Sequence, residues 1–354
     1  MSIISESTIR EYLCLAKNIK NNHVFYDIHV HPFDIFTEDN KKFSNLTPDC
    51  LKFPNKEEHR SPIIEPIKDN ENYDHVSERV MNLCNKLIIN KRYSRPDMQL
   101  FTDHMRLSLI DKIMFLPVPS KKGSFSDQLE YQNEFCKSNE NFINGGSISN
   151  STKTADIMRF MTLLKEKYNV KIIKIHPNIT GIDTTTATGK ERIEAILSAC
   201  NELKLPSIIH GGRSAMLAQK REQTYGDIDN LADINWAISG EKVVIAHAFC
   251  HDYDTSYIKK NIIPKLRKLC EKYENIMFDL SNLEIDSMTL LLNSINNDRI
   301  VFGSDALYEH QWAAVVKLLL SLSRIKEKKE EKFMKIISIN PSKYIFKENN
   351  ISIK

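Results

Sequence analysis

The chain of 354 residues predicts an α/β fold, a (β/α)₈ TIM barrel with a long insertion after its first strand. Three observations lead there. Short β-branched runs alternate with longer amphipathic stretches, the pattern of parallel strands joined by right-handed helical crossovers. Eight such runs can be counted, which favours a closed barrel over an open sheet. From the second run onward their starts recur about every thirty residues, the size of a βαβ unit.

In chain order, a helix is expected over 5–20, where Ile9, Leu13 and Ala16 fall at helical spacing. The first strand is 24–31, VFYDIHVH, an apolar run of period two. Further strands are read at 112–118, 141–147, 170–177, 206–212, 242–248, 275–281 and 299–305. Helices are expected between them, at 154–168, 190–203 and 256–273 among others. No G-x-G-x-x-G or Walker sequence follows a strand, which counts against an open nucleotide-binding sheet. The interval 32–111 breaks the rhythm, with several prolines and a helical stretch near 75–90. It is read as an insertion capping the barrel mouth, a lid within a single domain of 1–354, because a structureless loop of that length is unusual. The segment 330–346 reads as a closing helix followed by a short one.

Composition narrows the partners. Hydrophobic residues make up 41% and charged residues 27%, so the chain is globular and not disordered. The net charge of +3 comes from 49 basic and 46 acidic residues, a balance that offers no footprint for nucleic acid or a membrane surface. Seven scattered cysteines without a C-x-x-C pair count against a thiolate zinc site and a disulfide framework. The N-terminal segment lacks the basic start and apolar run of a signal peptide, and no apolar stretch approaches the ~20 residues of a membrane span. A cytoplasmic protein acting on a small molecule is expected, and homo-oligomers are compatible with the sequence.

The chemistry is signalled by position. His29 and His31 end the first strand, His210 the fifth, His247 the sixth and Asp305 the eighth. In a barrel the carboxyl ends of all strands open onto one mouth, where active sites lie. Alternation puts His29 and His31 on one face. Each residue alone is weak evidence in a chain with eleven histidines, and Asp305 could simply cap the following helix. Five such residues at the same end of four strands have no structural explanation. Imidazole and carboxylate ligands together suit zinc, and less specifically manganese, iron or nickel.

The runs D-I-H-V-H (27–31), I-K-I-H-P (173–177), I-I-H-G-G (208–212), V-I-A-H (244–247) and F-G-S-D (302–305) resemble the amidohydrolase superfamily. The resemblance is strongest to the amidohydrolase-related branch that includes aminocarboxymuconate semialdehyde decarboxylase. It covers 24 to about 320, apart from the 32–111 insertion. It implies that His29, His31, His210 and Asp305 hold one divalent metal, with His247 a catalytic histidine beside it. Strand four departs from the better-known hydrolases, which carry a carboxylated lysine or a glutamate there. Here the residues are Lys174 and His176, and a mononuclear site is expected. The run after His247 is H-A-F-C-H, unlike the glycine-rich run common in the decarboxylases, which counts against decarboxylation.

The expected activity is metal-dependent hydrolysis of an amide, lactone or related carbonyl bond in a small anionic substrate. In that reading the metal activates water, Asp305 moves its proton, and His247 polarises the substrate carbonyl. Lys174, Arg213 and His176 are the candidate substrate contacts. Cys250 and His251 are read as loop packing. The alternatives are a metal-dependent decarboxylase or hydratase of an unsaturated carboxylic acid, a TatD-like nuclease, and a non-catalytic ligand-binding barrel. The nuclease is disfavoured by the missing strand-four glutamate.

Overall fold

The computed structural model describes residues 5–21, 23–32, 98–119, 126–215, 217, 219–306, 308–325 and 328–348. Eight parallel strands follow one another around a single sheet in sequence order. They are β1 (Tyr26–Val30), β2 (Lys112–Phe115), β3 (Phe142–Ser147), β4 (Ile172–Ile175), β5 (Ser207–Gly212), β6 (Val243–His251), β7 (Ile276–Asp279) and β8 (Ile300–Val301). All eight fall on the runs read from the sequence. Closure comes from β1 and the segment after β8: Ile28 N donates to Phe302 O at 3.1 Å and Asp305 N to His29 O at 2.8 Å.

The strands read as continuous apolar runs because both faces are covered. Outward residues such as Ile113, Phe115, Ile173, Ile209, Ile245 and Phe278 join the large core shared with the helices. Inward, Ile28, Met114, Ile172, Ile208, Val244, Met277 and Val301 form one layer, a single residue from each of seven strands. Ile345, in the C-terminal turn Ser342–Phe346, is packed into this layer. Beside it Phe346 meets Tyr26 at 4.7 Å between ring centroids, and Tyr26 Oη donates to Glu348 at 2.5 Å. These residues seal the end of the barrel where the strands begin.

Two residues further along three strands, on the same face, the layer turns polar: Lys174 follows Ile172, His210 follows Ile208, and Asp279 follows Met277. All three are buried. In β1 the pairing register shifts between Asp27 and Val30. The shift resets the alternation, so that Ile28 belongs to the apolar layer while His29 and His31 both turn to the mouth.

The helix α1 (Glu6–Lys20) begins where Ser5 Oγ accepts from Thr8 N at 3.2 Å. It packs through Ile9 against Trp312 and Val316 of α2 (Gln311–Ser323). The interval 32–111 is not all insertion. Its last part, Met98–Ser108, is a barrel helix whose Phe101 sits 4.7 Å from Phe115, centroid to centroid, edge to face. The expected lid and the helical stretch near 75–90 lie outside the described residues.

If Ile345 closes the barrel floor, Ile345→Ala should lower the unfolding free energy by roughly 2–5 kcal/mol. Leu163→Ala, at a side chain 46% exposed, should stay within about 0.5 kcal/mol. Urea denaturation in a chelator measures both. Equal losses would remove the C-terminal turn from the core.

Candidate metal centre

His29, His31 and Asp305 converge at the mouth, their ligand atoms all within 4.8 Å of one another. His29 Nε2 lies 3.3 Å and His31 Nε2 3.1 Å from Asp305 Oδ1. Asp305 reaches this place from a left-handed backbone, φ 63°. Two residues earlier, a Cβ on Gly303 would stand 2.7 Å from His29 Cβ, so only glycine allows the last strand to pass this close.

The tautomers follow from the partners. His31 Nδ1 is 2.8 Å from Leu116 O, which can only accept, so Nδ1 carries the hydrogen and Nε2 a lone pair. His29 Nδ1 faces the Asp279 carboxylate at 2.9 Å, which leaves its Nε2 as an acceptor too. His247 Nδ1 is 2.9 Å from Ser281 O, and His251 Nδ1 is 2.7 Å from Arg213 O. Four imidazoles are thus held by Nδ1, and those of His29, His31 and His247 offer Nε2. Anchoring of the remote ring nitrogen is what orients metal-ligating histidines.

Burial pushes His31 down to about 4 against the pull of Asp305, and His247 down to about 3. Both rings are neutral at pH 7. Burial alone would raise the Asp305 carboxyl, but His29, His31 and His247 outweigh it and hold it ionised far below the usual carboxylate range. With Nδ1 committed to Leu116 O, the neutral His31 ring turns Nε2 to the carboxylate oxygen 3.1 Å away. His29 Nε2, His31 Nε2 and Asp305 Oδ1 are three acceptors aimed at one region, a donor set that fits a divalent cation.

Lys174 is a positive group beside them. It is buried, its Nζ is 2.8 Å from His29 Nε2, and burial pulls it down to about 8 despite Asp305 and Asp279. His210, expected as a ligand, is buried beside this group, but among the described residues it joins no trio of that kind. Its ring stacks on His176 at 4.0 Å and Nε2 is 3.2 Å from Ser214 Oγ. His176 caps the short helix Pro177–Thr180, accepting from Ile179 N at 3.3 Å. The Arg213 guanidinium lies over the Tyr253 ring, 5.9 Å from its centroid.

Sequence reasoning missed two contributors. Asp279 accepts from His29, from His247 N at 2.8 Å and from Ser281 N at 3.0 Å, so one carboxylate braces two histidines. It could have been found: it sits two residues beyond an inward apolar residue at a strand end, as Lys174 and His210 do. His251, read as loop packing, stands in the mouth within 4.8 Å of ligand atoms of His247 and Asp305. Burial would lower it, but Asp252, Asp305 and the Arg213 carbonyl outweigh that and raise it to about 9.

No protein family and no curated protein matches the sequence. Solved structures do match. An uncharacterised TIM-barrel protein from Bordetella bronchiseptica is 15% identical with a TM-score of 0.56, covering 92% of this chain and 99% of that one. A 5-carboxyvanillate decarboxylase from Novosphingobium aromaticivorans, solved with manganese and 3-methoxy-4-hydroxy-5-nitrobenzoic acid, is 11% identical with a TM-score of 0.57. It covers 92% of this chain and 98% of its own. A 4-oxalomesaconate hydratase from Rhodopseudomonas palustris is 15% identical with a TM-score of 0.54, covering 91% of this chain and 95% of its own. The likeness is one of fold: this chain is a (β/α)₈ barrel, as these solved structures are.

Proposed function

We propose that the chain is a divalent-metal-dependent enzyme for a small anionic carbonyl compound, and that its reaction is hydrolysis. The observation that carries this reading is the convergence of His29 Nε2 and His31 Nε2 on Asp305 Oδ1, at 3.3 and 3.1 Å. Imidazole and carboxylate suit zinc first, and manganese is the ion held by the decarboxylase neighbour. A divalent ion there would supply Lewis acidity and make water acidic enough to ionise near neutral pH.

The rest belongs to the chain. Asp305 keeps Oδ1 towards His29 and His31, so Oδ2 is the atom free to take a proton from water and return it to a leaving group. Asn282 Nδ2, donating to Oδ2 at 3.3 Å, holds that oxygen in place. His247 was expected to polarise the substrate carbonyl. With its hydrogen committed to Ser281 O and its ring neutral, it offers an acceptor instead. The positive charge for an anionic substrate falls to Lys174, whose ammonium is released once a cation satisfies His29 Nε2. The buried, water-poor mouth strengthens each of these interactions.

A second reading, decarboxylation or hydration of a carboxylic acid, is favoured by the names of two barrel neighbours, the decarboxylase and the hydratase. Product analysis on panels of carboxylic acids, amides and lactones separates the two. Released carbon dioxide or an added water across a double bond selects the lyase, and a cleaved amide or ester selects the hydrolase. In either case native protein should carry bound metal that His29→Ala and Asp305→Asn lose, and chelators should abolish turnover. Activity indifferent to chelation would end the metal reading.

Asp279→Asn gives a second expected outcome. Its oxygen no longer carries the charge that fixes the His29 tautomer, so metal affinity should fall about 10- to 100-fold. Competition with a fluorescent chelator measures this. The thermal midpoint of the metal-free protein reports separately on folding. An unchanged affinity would reduce Asp279 to a packing role.

A further inference from the structure

We infer that the substrate carries an apolar group, and that Val118, Ile179, Leu217 and Tyr308 form the subsite that receives it. The inference rests on the metal-dependent reading above and narrows its substrate to an anionic compound with a hydrocarbon part.

These four side chains pack together as a small cluster of their own, apart from the core that the strands share with the helices. Each comes from a segment that leaves the carboxyl end of a different strand: Val118 follows β2, Ile179 β4, Leu217 β5 and Tyr308 β8. In a barrel whose strands run in order from β1 to β8, such segments stand around the mouth. The cluster therefore forms an apolar arc above the strand ends, from β8 past β1 to β5. The rim at β6 and β7 presents His247, His251 and Asn282 instead, and is polar.

The arc adjoins the metal trio. At one end the Tyr308 ring stands 5.5 Å from that of His31, centroid to centroid and edge to face. At the other, Ile179 N donates to His176 Nδ1 at 3.3 Å, and the His176 ring lies flat on His210. Lys174, the cation assigned to an anionic substrate, is further back along the same strand-to-helix segment as Ile179. One segment thus offers a positive charge inside the barrel and an aliphatic side chain at its rim.

Small apolar clusters also form beneath loops as plain packing. Two features separate this one. Val118 and Ile179 are buried, but Leu217 and Tyr308 are only partly so, and the cluster keeps open surface beside a ring of the metal trio. Leu217 is also held where it is. Its N–H donates to Ser214 O at 3.1 Å and its carbonyl accepts from Gln223 Nε2 at 2.7 Å. The Ser214 hydroxyl in turn lies 3.2 Å from His210 Nε2, so the turn that carries Leu217 is anchored on the site. Mostly apolar walls with a few placed polar groups are how small-molecule sites are built.

The test titrates full-length protein loaded with manganese(II) with acetate and with butyrate, followed by calorimetry. Two methylenes separate the acids, and each buried methylene contributes about 0.8 kcal/mol, roughly fourfold in affinity. Butyrate should therefore bind about 15-fold more tightly than acetate, and in Leu217→Asn the ratio of the two affinities should fall towards one. Equal affinities in the native protein, or binding of neither acid, overturn the apolar subsite and leave the metal reading standing. A butyrate preference that survives in Leu217→Asn overturns the assignment to these residues. Protein that takes up no manganese, measured by elemental analysis before the titration, overturns the metal reading and this inference with it. The native comparison decides the subsite by itself, so the result does not hinge on a variant's folding.

Discussion

Three buried acceptors aimed at one region demand positive charge, and that demand organises the mouth of this barrel. His29, His31 and Asp305 cannot satisfy one another, because each imidazole has committed its only hydrogen elsewhere, to Asp279 and to Leu116 O. An unpaired buried carboxylate is expensive. The chain answers with every donor it can bring near: the Lys174 ammonium on His29 Nε2 and the Asn282 amide on Asp305 Oδ2. A cation does what these donors do singly, and the neutral state of His31 and His247 keeps their lone pairs available for it.

Placing so much polarity at the mouth requires that the rest of the barrel interior be dry. The layer below is wholly apolar, and Ile345 closes it from the other end. The change from Ile172 to Lys174, Ile208 to His210 and Met277 to Asp279 marks the boundary. Period-two geometry fixes the direction of these side chains, so the identity of one residue per strand determines whether a level of the barrel is core or site.

This explains what the sequence could reveal. The strands were legible because parallel strands buried on both faces are uninterrupted apolar runs, and even the two-residue β8 was marked by the run that contains it. His29, His31 and Asp305 were legible because strand ends are. The helix Met98–Ser108 was absorbed into the insertion because it follows a stretch with no clear period. His251 was not legible, for a physical reason: nothing in H-A-F-C-H announces three left-handed residues, since glycine is the usual sign of that conformation and none is present. His210 is a different case. Its strand-end position is right, yet its ring is turned flat against His176.

Closure of the barrel and assembly of the site are one event. Asp27 is fully buried, and burial raises its carboxyl to about 6 despite the hydrogen bonds it accepts. It takes the backbone N–H of His29 at 3.1 Å and of Ser304 at 3.0 Å, the Ser304 hydroxyl at 2.5 Å, and Gln311 Nε2 at 2.7 Å. One side chain therefore joins the first strand, the turn after the last strand and the start of α2. Those partners lie next to both halves of the metal trio: His29 on one side, Asp305 immediately after Ser304 on the other. Charge-assisted hydrogen bonds contribute about 1.5–3 kcal/mol each, which counters part of the cost of burying the carboxylate. Residues from opposite ends of the chain can hold one ion only if the first and last strands keep their register, and Asp27 is where that register is fixed.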